Sequence, residues 1–375
     1  MANRFWVGGS GTWDASSTAN WSATTGGASG ASAPVAADAV FFDANSGAGT
    51  CTTGTGATCS NITFNTATVG LSLGDNLNAT NIIAFTLGAI SLGSYVLSCV
   101  QLSSSNANVR SINFGTGSIT LTGNSLTIWN FPTNTNFSYT GTPTVNCTYA
   151  GATGTRTLSN GQTAGQSEAN AISFNVTAGT DTVSFLGAMK NLNFTGFGGV
   201  LTNAGGRVIY GNLTLASGMT VNAGANPVSF SGTSGVQQIT TNGKTLDFPL
   251  TFNGVGETFS FQDALTQGST RAFTLTNGTV QLKDGTTSTV GAFATSGTNQ
   301  KFLESTLANT QATLSKASGT VNASYLTIKD INATGGAIFN AFTNSGNASS
   351  AQNINAGNNI GWNFVPTGNG MMGFF

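Results

Sequence analysis

The amino-acid sequence predicts an all-β fold, a parallel β-solenoid, and three observations lead there. Short apolar alternations recur, as in Asn242 to Gly254 ("NGKTLDFPLTFNG"), where Leu246, Phe248, Leu250 and Phe252 stand at every second position between Asn-Gly-type breaks. A period of two marks a half-buried strand. Comparable core positions, Phe174, Phe194, Leu215, Phe230 and Phe252, then return at a loose interval, with the step from Leu215 to Phe230 the shortest. Finally, 51 of the 375 residues are Gly and only 6% are charged, against about 25% charged in an average domain. Coils of roughly 20 residues, none able to bury its inward side chains until the next stacks on it, explain all three. Asn and Gly tolerate the left-handed backbone of tight corners. Outward Thr, Ser and Asn take the place of charges, because like charges stacked in register repel. An array of β-sandwiches is the alternative, since it also spaces short strands regularly.

From the N-terminus, residues 1–60 carry three of the five tryptophans, Trp6, Trp13 and Trp21, between Gly- and Ser-rich stretches. This segment is expected to cap or attach the solenoid, because an open core end needs a cover and indoles bury large area. Residues 61–364 form the body, with strands such as "SINF" ending at Phe114, "AISFNV" around Phe174 and "TFSF" ending at Phe261. About fifteen rungs spaced about 4.8 Å apart would make a rod of roughly 70 Å. Trp362 belongs to the last coil and is a further capping residue. Pro366 and Gly368 then break the pattern before an apolar tip, residues 365–375, in which Met371, Met372, Phe374 and Phe375 are expected to make assembly contacts. Left free in water, such a tip would be costly.

Charge narrows the partners. With 39% hydrophobic residues and a net charge of −1 the chain is not of the disordered class. Its 11 Lys and Arg are scattered, with Arg4, Arg110, Arg156, Lys190, Arg207 and Lys244 each alone, so no nucleic-acid-binding patch is expected. A weakly charged surface suits a chain packed in an assembly, and self-association, as a homotrimer, is expected. No apolar run reaches membrane-spanning length. The opening "MANRFWVGGSGTW" lacks the apolar run of a signal peptide, so a virion or extracellular location would be reached by another route, such as lysis. Cys51, Cys59, Cys99 and Cys147 include no CxxC pair and have no histidine to join them. Buried thiols are expected, with a Cys51–Cys59 bridge as the alternative, and no metal or other cofactor.

"RFWVGGSGTWDASSTANW" (Arg4 to Trp21) is similar to the opening of autotransporter-associated β-strand repeats and of phage-encoded β-repeat proteins. "INFGTGSITLTGNSLTIWN" (Ile112 to Asn130), "FNVTAGTDTVSFLGAMKNLNFTGFGG" (Phe174 to Gly199) and "LSKASGTVNASYLTIKDINATGGAIFNA" (Leu314 to Ala341) resemble phrases of structural proteins of tailed phages. The resemblance implies a virion-associated fibre, spike or decoration protein, and carries no catalytic residue over. A bacterial autotransporter is disfavoured, for neither a signal peptide nor a translocator barrel is visible.

Chemistry is scarce as well. The absence of histidine removes Ser-His-Asp and Cys-His arrangements, and no catalytic residue is expected. Paired carboxylates are the remaining possibility, as used in glycoside hydrolysis. The pairs to test are Asp38 with Asp43, Glu257 with Asp263, and Asp247 with Asp263 across rungs. Corner roles, satisfying backbone N–H groups, are the simpler expectation for each. Lys283 to Gly285 ("KDG") reads as a turn, and Lys329 with Asp330 as a local ion pair. Trp13, Trp21, Trp129 and Tyr139 would be the rings to stack on a host glycan, if they are not core. The runner-up function is therefore a glycan-binding or glycan-cleaving tailspike, and the third is a secreted cell-surface adhesin.

Overall fold

The computed structural model describes residues 1–124, 127–203, 205–233, 235–343 and 352–364. Met371, Met372, Phe374 and Phe375 lie outside the described residues. The chain is 51% strand and 1% helical, a β-solenoid of about 14 turns of parallel stacked strands. The sandwich alternative is excluded by the parallel pairing. Two compact units divide it, Met1–Ala204 and Gly205–Phe375.

In the first unit a coil consists of three short strands joined by corners, such as Asn61–Asn65, Val69–Leu73 and Leu77–Ala79. The next coil repeats them in parallel register, with Ile62 opposite Ile83, Leu71 opposite Ile90 and Leu77 opposite Leu97. Like therefore stacks on like. One inward column runs Val40, Ile62, Ile83, Leu102, Trp129, Leu158, Phe185, and no member is more than 1% exposed. Each such side chain contributes about 1.5–3 kcal/mol of burial. Strand Ile82–Ser91 turns a corner without ending because Gly88 adopts φ 114°, and a Cβ there would stand 2.1 Å from the Thr66 carbonyl oxygen.

Residue 60 is no seam. Strand Ala39–Phe42 pairs in parallel with Asn3–Trp6 before it and with Asn61–Asn65 after it, so rungs begin at Asn3. On its other edge, Asn3–Trp6 takes an antiparallel partner, Trp21–Ser22. Coil length also varies. Along the inward column the step from Ile83 to Leu102 is the shortest, whereas those from Leu102 to Trp129 and from Trp129 to Leu158 are markedly longer. The extra residues sit in corners.

The second unit repeats the three-strand coil around an aromatic interior. Val228, Leu250, Phe273 and Phe293 share one column. Phe230 and Phe252 stack at 5.4 Å with planes 7° apart, and Phe273 and Phe293 at 5.5 Å. Gly278 performs the corner role of Gly88, at φ 85° with its would-be Cβ 2.4 Å from the Gly254 carbonyl. The alternation from Leu246 to Phe252 spans two strands, Thr245–Leu246 and the start of Leu250–Phe261. All four side chains are buried, because the intervening corner preserves the inward direction.

Candidate functional site

The acidic residues act first as corner staples. Asp38 is buried, accepts the Ala2 N–H at 2.7 Å and lies 3.8 Å from Arg4. Asp43 accepts from the Thr25 hydroxyl at 2.6 Å and from the Asn45 N–H at 2.8 Å. In the second unit Glu257 is buried within strand Leu250–Phe261, while Asp263 lies beyond that strand's end. The strand between Glu257 and Phe261 alone spans about 13 Å. The structure thus does not bring Glu257 and Asp263 to the roughly 5–10 Å that hydrolysis uses. Asp263 accepts the backbone N–H groups of Thr241 (2.9 Å) and Asn242 (2.5 Å). Asp247 pairs with Arg271 at 2.6 Å and borders Gly268. It therefore occupies the opposite end of the short face Thr266–Gln267 from Asp263. Lys329 and Asp330 do not form the expected pair. Lys329 faces outward, whereas Asp330, at φ 58°, is buried and accepts from the Asn309 N–H and the Asn358 amide. Lys283 and Asp284 do meet, at 2.5 Å.

Two cations that look isolated in sequence prove to be internal clips. Arg110 is fully buried and donates to the carbonyls of Asn108 (2.8 Å), Ser104 (3.0 Å), Thr133 (3.3 Å) and Thr135 (2.7 Å), and to the Ser104 hydroxyl (2.9 Å). Arg156 forms a two-point buried ion pair with Asp181, at 2.8 and 2.6 Å. Tyr149 and Phe197 each lie 5.6 Å from its guanidinium. Both clips tie down the long corners of the enlarged coils. Sequence proximity could not reveal them, because Thr135 and Asp181 each lie a full coil beyond the arginine they hold. The clue present in the sequence was coil lengthening around those two arginines.

The aromatic residues offered for glycan stacking lie mainly in the core. Trp6, Trp13 and Trp21 are wholly buried together, edge to face at 5.1 and 5.4 Å, with Phe42 beneath. Trp129 is buried and stacked on Phe131 at 4.3 Å. These rings have no face to give a sugar. Tyr139 is half-buried, its hydroxyl donates to the Ala171 carbonyl, and burial followed by the nearby Glu168 charge pushes its pKa up to about 12. Trp362 is 8% exposed and packs on Phe339 at 5.1 Å. All four cysteines are buried and free, so the Cys51–Cys59 bridge is absent.

Each unit also carries a surface hollow. The one in the first unit, about 380 Å³, is floored by the outward column Ser72, Ser91, Asn113, Thr140, with Thr50, Ser111 and Ser138 beside it. These uncharged groups can exchange hydrogen bonds with a polar ligand but cannot move a proton near neutral pH. The second unit has a hollow of about 240 Å³ where Phe302 and Val255 meet Asn277, Asn299 and Gln300. Asn253, Asn277 and Asn299 form an amide ladder beside it, with bonds of 2.6 and 2.8 Å. Among the described residues no group of three or more Cys, Asp or Glu could hold a metal ion, and no helix is long and apolar enough to cross a membrane. Comparison with protein-family models, curated proteins and solved structures gave no match.

Proposed function

We propose that the chain is a non-enzymatic structural protein of a phage particle or a similar extracellular assembly, a fibre, spike or decoration component that presents a stiff β-solenoid to a partner or host surface. The observation that carries this is the parallel, like-on-like stacking of successive coils within each unit. A coil closed by parallel ladders on three faces, with a continuous apolar interior, resists bending because any tilt must break several ladders at once. Engagement of Asp38, Asp43 and Asp263 in corner bonds supports a mechanical role over a hydrolytic one. The buried Trp6, Trp13 and Trp21 cluster, with antiparallel strand Trp21–Ser22 laid on the first rung, supports a cap at the N-terminal end.

Negative-stain microscopy of native particles from a producing culture, labelled with antibody to this chain, tests the assignment. Label at a regular position on the particle is expected. Label confined to the cell envelope would replace the virion assignment with an adhesin. Release of reducing sugar from host polysaccharide, lost in Asp263→Asn, would replace it with a hydrolase.

A further inference from the structure

One face of the second unit is unlike the others. Its register places Val236, Thr258, Thr279, Phe302, Thr327 and Ile354 in a single outward column across six consecutive rungs. Val236, Phe302 and Ile354 are 59, 39 and 48% exposed, and Val255 at the adjoining corner is 66% exposed. Thr258, Thr279 and Thr327 occupy the rungs between them. Two positions further along each strand runs a parallel polar column, in which Gln281, Glu304 and Lys329 occupy the third, fourth and fifth rungs. Glu304 and Lys329, opposite charges on successive rungs, are the charged members of that column.

We propose that this face binds a second copy of the same chain, in antiparallel orientation. A two-fold axis lying along the strands, midway between the fourth and fifth rungs, exchanges those rungs while preserving position along the strand. It therefore sets Glu304 against the partner copy's equivalent of Lys329, and Lys329 against the equivalent of Glu304. The same operation lays Phe302 over the threonine of the opposing fifth rung and brings Ile354 over that of the opposing third. Such a contact is closed and self-complementary, as isologous interfaces require. Parallel packing about an axis running through the polar column would set Glu304 against Glu304 and Lys329 against Lys329. The ridge is apolar beside a charge pair, which fits an apolar interface core with a polar rim better than it fits a sugar. This pairing does not depend on where the fibre is deployed.

Light scattering coupled to size exclusion should find a dimer. Glu304→Lys alone and Lys329→Glu alone each place like charges across both contacts and should weaken association roughly a hundredfold. An equimolar mixture of the two single variants should recover a heterodimer, since every cross-contact is then attractive. That recovery is independent of any effect within one chain. Spin labels on Gln238→Cys, in the first rung, should lie about 34 Å apart, seven rungs of about 4.8 Å. Unchanged far-ultraviolet dichroism in each variant confirms that the fold is intact. A monomer up to the solubility limit, a trimer insensitive to both charge reversals, association lost on deleting residues 365–375 alone, or labels in one rung would each overturn the proposal. A stiff monomer would overturn the pairing and leave the mechanical role standing. A Phe302→Ala variant that changes binding to host polysaccharide but not self-association would assign the face to a glycan instead.

Discussion

The first unit keeps its unusual side chains inside, and the second places more of its apolar ones outside. All four cysteines and four tryptophans, Trp6, Trp13, Trp21 and Trp129, are buried in the first, whose enlarged coils are tied by Arg110 and by Arg156 with Asp181. In the second, phenylalanines stack in the core while Val236, Val255, Leu307, Ile338, Ile354 and Ile360 are each at least 48% exposed. Its column from Val228 through Leu250 and Phe273 to Phe293 keeps a nearly even step. Short coils leave little spare corner, so the outer strand faces decide what the surface presents. Long coils generate corners that must be held, and buried guanidinium groups hold them where backbone carbonyls would otherwise lack donors.

The largest effects should come from the core supports that differ between the units. Asp181→Ala leaves the Arg156 charge buried and unpaired, and should cost about 3–5 kcal/mol, with lost hydrogen-exchange protection confined to residues 1–204. Phe252→Ala removes a ring that contacts Phe230, Phe259, Phe261 and Phe273, and should cost a similar amount, about 3–5 kcal/mol, in the second unit. Equal loss of protection in both units from either change would show one cooperative block and erase the contrast.

Alkali should separate the units next. Burial pushes the thiols of Cys51, Cys59 and Cys99 upward, and that of Cys147 up to about 12, from an ordinary value of 9.0. Tyr139 is raised to about 12 from 10.0. The folded state retains these protons where the unfolded chain has released them. Stability is therefore full below about pH 9 and falls as pH rises from there toward 12. All five groups belong to the first unit, and the second has no cysteine. Unfolding followed by hydrogen exchange at stepped pH should show residues 1–204 opening first. Opening that begins in residues 205–375 would contradict this order.

Smaller effects sharpen the role of the clips. Arg110→Met should cost about 1–3 kcal/mol for each carbonyl left buried without a donor, measured by denaturant midpoint, with protection lost first near residues 104–109 and 133–136. Lys190→Ala removes a pair with Glu168 that is 39 and 26% exposed, and should change the midpoint by less than about 1 kcal/mol. A larger change would make surface pairing as important to the first unit as its buried clips.

Fold class was legible because the inward direction is a local property. Leu246, Phe248, Leu250 and Phe252 alternate in sequence and remain inward across a corner, so period two survives even where the strand does not. Stacking partners were less legible. Phe174 stacks on Leu192, two positions before the Phe194 that interval counting suggests, because a register irregularity follows Ile172. The expected break at residue 60 misled for a related reason: Trp-rich composition distinguishes residues 1–60, yet the ladder from Ala39–Phe42 runs through it.

By itself the sequence determined that this chain is all-β, coiled, sparsely charged and without histidine chemistry, since composition and alternation act residue by residue. Tertiary structure alone decided which coils align, and with them the Arg156–Asp181 pair, the burial of Trp129 and the meeting of Val236, Phe302 and Ile354 on one face. The physical reason is that coil length is not constant, as the short step from Ile83 to Leu102 and the long one from Trp129 to Leu158 show. Neighbours across rungs are then fixed by accumulated register, which no fixed spacing in the sequence encodes.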